Sequence, residues 1–225
     1  NPLLTAKGHP ELALQKGGHG CLVETQAGEW YMAYLCARPD KREHRCMFGR
    51  ETAIQKLKMT EDGWFQTEDG LGIPSERVPA PELPDFYVKD LPVKRTFPGR
   101  LPDEFQTLRI PLTRESMQFD EEKETLILYG KESMESLHKQ SLVGRRREHW
   151  AFEAETRIRF EPDTFQQMAG MALYYDTTNY FYACISRDES KGKCVYLLEC
   201  RHGEKRVSGD IAALAEGKPV TLKMQ

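Results

Sequence analysis

The sequence has no apolar run long enough to cross a membrane as a helix. Stretches such as Met171–Tyr175 and Cys194–Leu198 fall far short of the roughly 20 residues a spanning helix needs, so no membrane partner is expected. Charge of one sign is also lacking: 32 Lys and Arg stand against 35 Asp and Glu, a net charge of −3. Without a broad basic field to hold a phosphate backbone, nucleic acid is not an expected partner. The six cysteines, at positions 21, 36, 46, 184, 194 and 200, form no CxxC pair and have no histidine spacing of the zinc kind. Half of them sit in strand-like apolar runs, as reduced core thiols do in cytosolic proteins, so free thiols and a cytoplasmic location are expected. A Cys36–Cys46 loop disulfide is the alternative. The opening Asn1-Pro2-Leu3-Leu4 lacks the basic region and apolar stretch of a secretory signal.

Proline, in contrast, is plentiful in one place. Pro74, Pro79, Pro81, Pro84, Pro92 and Pro98 crowd a single segment. Each removes a backbone donor and fixes φ, so no helix or central strand continues through it. Residues 74–98 therefore read as a connection between a first unit, 1–73, and a second, 99–225. In the first unit short extended segments alternate with turns: Gly20–Glu24, the turn Thr25–Gly28, Glu29–Leu35, Ala53–Met59, the turn Thr60–Gly63, and Trp64-Phe65. Four strands in about 50 residues is the rhythm of one propeller blade. Such a sheet cannot bury both faces alone; a free-standing four-stranded meander is the other reading.

In the second unit Trp150, Phe152, Ala154, Thr156, Ile158 and Phe160 alternate with Glu153, Glu155, Arg157 and Arg159, the signature of a strand with one buried and one wet face. Gly170–Tyr175 and Tyr180–Ser186 flank a polar Asp176-Thr177-Thr178-Asn179 connection that suits a hairpin. Cys194–Cys200 follows the turn Asp188–Gly192, and Arg201–Lys205 comes next. Short strands with a turn every 8–12 residues or so argue for a sandwich over an α/β fold. Ser208–Glu216 reads as the one helical turn of this unit, and Pro219-Val220-Thr221-Leu222 as a further strand, with the sandwich expected to continue past Gln225.

Two series of motifs then carry a family likeness. Leu14-Gln15-Lys16-Gly17-Gly18-His19-Gly20, Leu22-Val23-Glu24-Thr25, Gly28-Glu29-Trp30-Tyr31 and Gly49-Arg50-Glu51-Thr52-Ala53-Ile54-Gln55-Lys56 resemble the closing propeller blade of glycoside hydrolase family 43 β-xylosidases. Gln106-Thr107-Leu108-Arg109-Ile110-Pro111-Leu112, Gln140-Ser141-Leu142-Val143, Phe165-Gln166-Gln167-Met168-Ala169-Gly170 and Tyr174-Tyr175 resemble the concanavalin A-like domain that follows it. The resemblance implies an all-β chain: the final blade of a five-bladed β-propeller, then a concanavalin A-like antiparallel β-sandwich. It also implies inverting hydrolysis of β-1,4-xylosides, often with some α-L-arabinofuranosidase activity. That chemistry needs a carboxylate base and a carboxylic acid roughly 6.5–9.5 Å apart. The family's three catalytic carboxylates come from earlier blades, so none maps onto residues 1–225, and no catalytic residue is assigned here.

Two site residues are carried over. The family's arginine matching Arg50 reaches the pocket for the terminal xylose, where a planar guanidinium donates to hydroxyls and adds positive potential without titrating. A surface pair with Glu51, or a loop-packing role, is the structural alternative. His19, between two glycines that permit a sharp turn, matches a histidine near the propeller axis that holds a cation, commonly calcium, directly or through water. Calcium's preference for oxygen favours the water-mediated form, and a simple turn histidine is the other reading. No cofactor is otherwise required.

Other eye-catching groups have plainer explanations. Trp30, Tyr31 and Trp64 read as blade core, and Tyr174, Tyr175, Tyr180 and Tyr182 as hairpin packing, in preference to sugar-stacking platforms. Arg145-Arg146-Arg147 reads as a solvated turn or a source of ion pairs. Glu153, Glu155 and the cluster Asp120-Glu121-Glu122 read as solvated surface. The expected partners are xylo-oligosaccharides or aryl xylosides, with homo-oligomerisation as in many relatives. A stand-alone carbohydrate-binding module is the alternative; the blade motif around Arg50 speaks against it.

Overall fold

The computed structural model describes residues 2–87, 94–111 and 113–225. Asn1, the stretch 88–93 with Pro92 of the connection, and Leu112 of the sandwich motif lie outside the described residues. The chain divides into two compact units, Asn1–Leu91 and Pro92–Gln225. No α-helix occurs among the described residues.

The first unit is a four-stranded antiparallel meander, β1 (Gln15–Glu24), β2 (Trp30–Ala37), β3 (Glu51–Met59) and β4 (Phe65–Thr67), paired in chain order. Alternation along β2 sorts its side chains onto two faces. Met32, Tyr34 and Cys36 point into a core with Leu57, packed by Leu3, Leu4, Leu14, Trp30, Ala53 and Phe65. On the opposite face Cys21, Ala33 and Ile54 form one cross-strand row, and Val23 and Tyr31 the next. Val23 and Ile54 remain half-exposed there.

The proline-rich segment is stitched to this sheet. Tyr31 donates its hydroxyl to the Pro79 carbonyl at 2.9 Å, and the Glu82 N–H donates to Glu29 at 2.7 Å. The Ser75 N–H donates to Gln55 at 3.1 Å. Glu29 also accepts from Lys56, and these two bonds hold its carboxyl below the usual range.

The second unit holds β5 (Phe105–Thr107), β6 (Met117–Asp120), β7 (Thr125–Leu128), β8 (Val143–Arg145), β9 (Ala154–Ile158), β10 (Ala169–Asp176), β11 (Asn179–Asp188), β12 (Gly192–Arg201), β13 (Glu204–Ala213) and β14 (Val220–Met224). Strands β10 to β13 form a four-stranded antiparallel sheet, and β14 with β9, β5 with β8 and β6 with β7 form pairs. Tyr180, Tyr182, Cys184 and Cys200 make its core, with Met134, Ala172, Tyr174, Tyr196 and Leu198 packed on them. Tyr174 faces Tyr180 across the ladder with rings stacked 6.3 Å apart, whereas Tyr175 is exposed. All six cysteines are free, so Cys36 and Cys46 are not bridged.

Two local expectations are corrected. Ser208–Glu216 is not a helical turn: β13 runs through it to Ala213, paired with β12 from Arg201↔Glu204 to Cys194↔Ala213. The alanines there favour helix, but the ladder gives their backbone groups partners, and tertiary pairing outweighs a weak propensity. Within Arg201–Lys205, His202 and Gly203 both take positive φ in the two-residue hairpin turn that joins β12 to β13. Trp64 is not blade core. It closes the turn from Thr60 through its N–H and carbonyl, leaving its side chain in solvent at 73% exposure, while Phe65 packs on Trp30 at 4.8 Å.

Candidate functional site

The register of the meander brings both carried-over residues toward one end of the sheet. Gly18 lies opposite Leu35, and Leu35 opposite Thr52, so His19 of β1 and Arg50, just before β3, share that end. Both are exposed.

Strand β1 has two register shifts, between Gln15 and Gly18 and between Gly18 and Cys21; Lys16 lies in the first and His19 in the second. The sequence suggests that its flanking glycines supply the turn, but His19 itself adopts φ 45° and Lys16 adopts φ 57°. Of the two flanking glycines only Gly20 serves close packing, since a Cβ there would come within 2.7 Å of the Met32 sulfur while one on Gly18 would meet nothing within 4 Å; farther along, a Cβ on Gly17 would lie 3.3 Å from Leu4. Left-handed backbone at a residue with a Cβ costs energy and turns the strand at each bulge. Among the described residues no group of three or more His, Cys, Asp or Glu side chains could hold a metal ion. A lone exposed imidazole does not supply the six to eight oxygen donors calcium takes, so the residues present do not fit that ion by themselves.

Arg50 follows Gly49, whose φ is +70°, at the end of the connection from Arg38 to Arg50. Asp40 organises that connection: its carboxylate accepts from the N–H groups of Arg42 (2.9 Å), Glu43 (2.7 Å) and Arg45 (2.8 Å). These bonds hold its carboxyl well below the usual range. At the base, Arg38 grips Glu51 with two prongs, Nε to Oε2 at 3.0 Å and Nη2 to Oε1 at 2.7 Å, while its guanidinium lies 5.0 Å from the Phe48 ring centre. Glu51 is thus engaged by Arg38, and Arg50 has no ion pair among the described residues. The surface pair between Arg50 and its neighbour is not formed.

Neither Arg38 nor Asp40 stood out in the sequence. Pro39-Asp40 is a turn signal that points to the Asp40 bonds, but nothing local marks Arg38, whose partner is 13 residues away.

Among the described residues the resolved carboxyl shifts all run in one direction. Each described carboxyl with a resolved shift is held below its ordinary value, including Glu29, Asp69, Glu161, Asp188 and Glu199. A general acid needs its proton held more firmly than usual, the opposite direction. Glu153 and Glu155 are exposed as the alternation predicts, and Glu153 pairs with Lys223 at 3.0 Å. Arg147 turns to the carbonyls of His149 and Trp150 and lies over Phe152.

Comparison with known proteins places this geometry. Residues 95–225 match the β-xylosidase C-terminal concanavalin A-like domain, and residues 1–65 match the glycosyl hydrolases family 43. Xylosidase/arabinosidase 43B of Humicola insolens is 39% identical over 196 residues, 87% of this chain and 36% of that protein. The β-xylosidase of Bacillus subtilis (strain 168) is 38% identical over 210 residues, 89% of this chain and 39% of that protein. The crystal structure of xylan β-1,4-xylosidase from Bacillus halodurans C-125 superposes with a TM-score of 0.95 at 45% identity, over 99% of this chain and 43% of that one. The chain therefore spans well under half the length of these relatives. With the sandwich match covering more than half of its residues, the protein belongs to glycoside hydrolase family 43, and residues 95–225 are its β-xylosidase C-terminal concanavalin A-like domain.

Proposed function

We propose that this chain serves an inverting β-1,4-xylosidase that releases xylose from the ends of xylo-oligosaccharides. In this reading the meander is the closing blade of a five-bladed catalytic propeller, and Arg50 is the chain's contribution to the sugar pocket. The observation that carries it is Arg50 itself: an exposed guanidinium on an ordered connection, beside a glutamate already occupied by Arg38. Among the described residues its donors pair with no carboxylate, which leaves them available to hydroxyls. The half-exposed Val23 and Ile54 on the face opposite the core fit coverage by a neighbouring blade. The names of the relatives support xylosides as substrates, and arabinosides as a second class.

Arg50 would act by orientation and electrostatics. A guanidinium fixed beside the terminal sugar keeps its charge at all working pH values and holds the ring against the reacting carboxylates. The base that activates water and the acid that protonates the leaving oxygen come, in this reading, from residues outside Asn1–Gln225. Replacing Arg50 with Ala in the complete hydrolase tests the pocket role. KM for an aryl β-xyloside should rise by about tenfold or more, the scale of losing a group that positions substrate. An unchanged KM would remove Arg50 from the pocket.

A further inference from the structure

We propose that Arg38 is a positioning residue for Arg50, acting through Glu51. The inference rests on the pocket role of Arg50 and concerns what makes that arginine available.

Arg50 and Glu51 are sequence neighbours of opposite charge, and an unengaged Glu51 would draw the Arg50 guanidinium onto itself. The structure provides Glu51 with another partner. Arg38 leaves the end of β2 one residue after Ala37, and the β2–β3 ladder pairs Cys36 with Glu51, so the two strands deliver both side chains to one place. Arg38 contacts both Glu51 oxygens, at 2.7 to 3.1 Å. A fork of this kind fixes the plane of the carboxylate as well as its position. The arginine is itself backed by the Phe48 ring at 5.0 Å.

The pair also closes the connection at its base. Its two partners are the residue that opens the 38–50 stretch and the first residue of β3, immediately after Arg50. Asp40 fixes the far part of the same stretch with three accepted N–H bonds, reinforced by backbone bonds between Asp40 and Arg45 (2.9 Å) and from His44 to Asp40 (3.2 Å). Gly49, at φ +70°, then turns the chain into Arg50. The stretch is thus fixed at both ends, and Arg50 emerges from it beside a neutralised neighbour.

The test is a set of four variants of the complete hydrolase assayed on an aryl β-xyloside: Arg50→Ala, Arg38→Met, Glu51→Gln and the double Arg38→Met/Arg50→Ala. Arg38→Met frees Glu51 to capture Arg50 and should raise KM on the order of tenfold, with kcat changed much less. Glu51→Gln removes the capturing charge and should raise KM less than Arg38→Met does. In the double variant KM should equal that of Arg50→Ala alone, because Arg38 acts only through Arg50.

A further multiplicative rise in the double variant, or an unchanged KM for Arg38→Met while Arg50→Ala raises it, overturns the positioning role and leaves the pocket role standing. An unchanged KM for Arg50→Ala overturns the pocket role, and this inference with it. Should Arg38→Met fail to fold, Glu51→Gln, which keeps size and shape, decides the matter: a KM close to that of the unsubstituted hydrolase supports the capture argument, and a rise on the scale of Arg50→Ala contradicts it.

Discussion

Tyr34 is 2% exposed, and its hydroxyl has no hydrogen-bond partner among the described residues. Burial pushes its pKa up to about 12, since an ionised phenolate there would be neither solvated nor paired. An unpaired buried hydroxyl is costly, so Tyr34→Phe is expected to leave stability unchanged or raise it by about 1 kcal/mol. Thermal unfolding followed by circular dichroism checks this, and a drop of that size would reveal a partner for the hydroxyl. Gly170 gives the opposite expectation. A Cβ there would lie 1.9 Å from the Ala183 carbonyl oxygen on the neighbouring strand, so Gly170→Ala should destabilise the second unit by about 1–3 kcal/mol. Neither result was legible in the sequence, because each depends on a neighbour brought close by strand register. The positive φ of His19 was hidden for a different reason: glycine is the residue that takes positive φ most readily, and one stands on each side of it.

At the scale of elements, alternation was an accurate guide where one face is buried and one is wet. The alternation over residues 150–160 predicted β9, which spans only Ala154–Ile158: its inward Ala154, Thr156 and Ile158 are half-buried while Glu155 and Arg157 are exposed, but Trp150, expected on the inward face, lies outside the strand and is exposed. The four strands of the meander were legible too, each within a few residues at its ends except β1, which begins five residues earlier than the pattern suggested. Alternation failed at β13, where alanines and a glycine carry no clear period and only the ladder with β12 decides. The buried ammonium of Lys193 also escaped notice. It is fully enclosed on β12 and reaches Glu161 at 2.7 Å and the Lys218 carbonyl at 3.0 Å, joining the four-stranded sheet to the segments beside β9 and β14. Breaking such a pair costs most when the remaining charge is buried, but Glu161 is 41% exposed. Lys193→Met should therefore cost about 1–2 kcal/mol, discounted for the solvation left to Glu161. Urea denaturation of the sandwich measures it, and a loss near zero would show the clamp to be dispensable.

At the scale of the whole molecule, titration sets a window of stability. The Cys184 thiol is pushed by burial up to about 12 from 9.0, and Tyr180 and Tyr196 to about 12 from 10.0. Above those ordinary values the unfolded chain loses these protons while the folded chain keeps them, so stability falls as pH rises beyond about 9. On the acid side Glu161 and Glu199, held low chiefly by bonds from Lys193 and Arg206, contribute fully above the ordinary value of 4.5, and that contribution is lost as pH falls through their folded values. Denaturation midpoints across pH should form a plateau that declines on both sides; a midpoint still rising past pH 9 would contradict the burial of these groups.

The same carboxylates bear on catalysis, since every described one with a resolved shift holds its proton less firmly than usual, whereas a glycosidic acid must hold its proton more firmly. Motif order along the chain made the family legible, while the occupied state of Glu51 beside Arg50 required coordinates. The most direct test of the account is xylose release from an aryl β-xyloside by the purified, folded 225-residue chain. The account predicts no turnover above the uncatalysed rate. Turnover at about 1 s⁻¹ or faster, ordinary for an enzyme, would contradict it by showing that these residues contain their own acid and base.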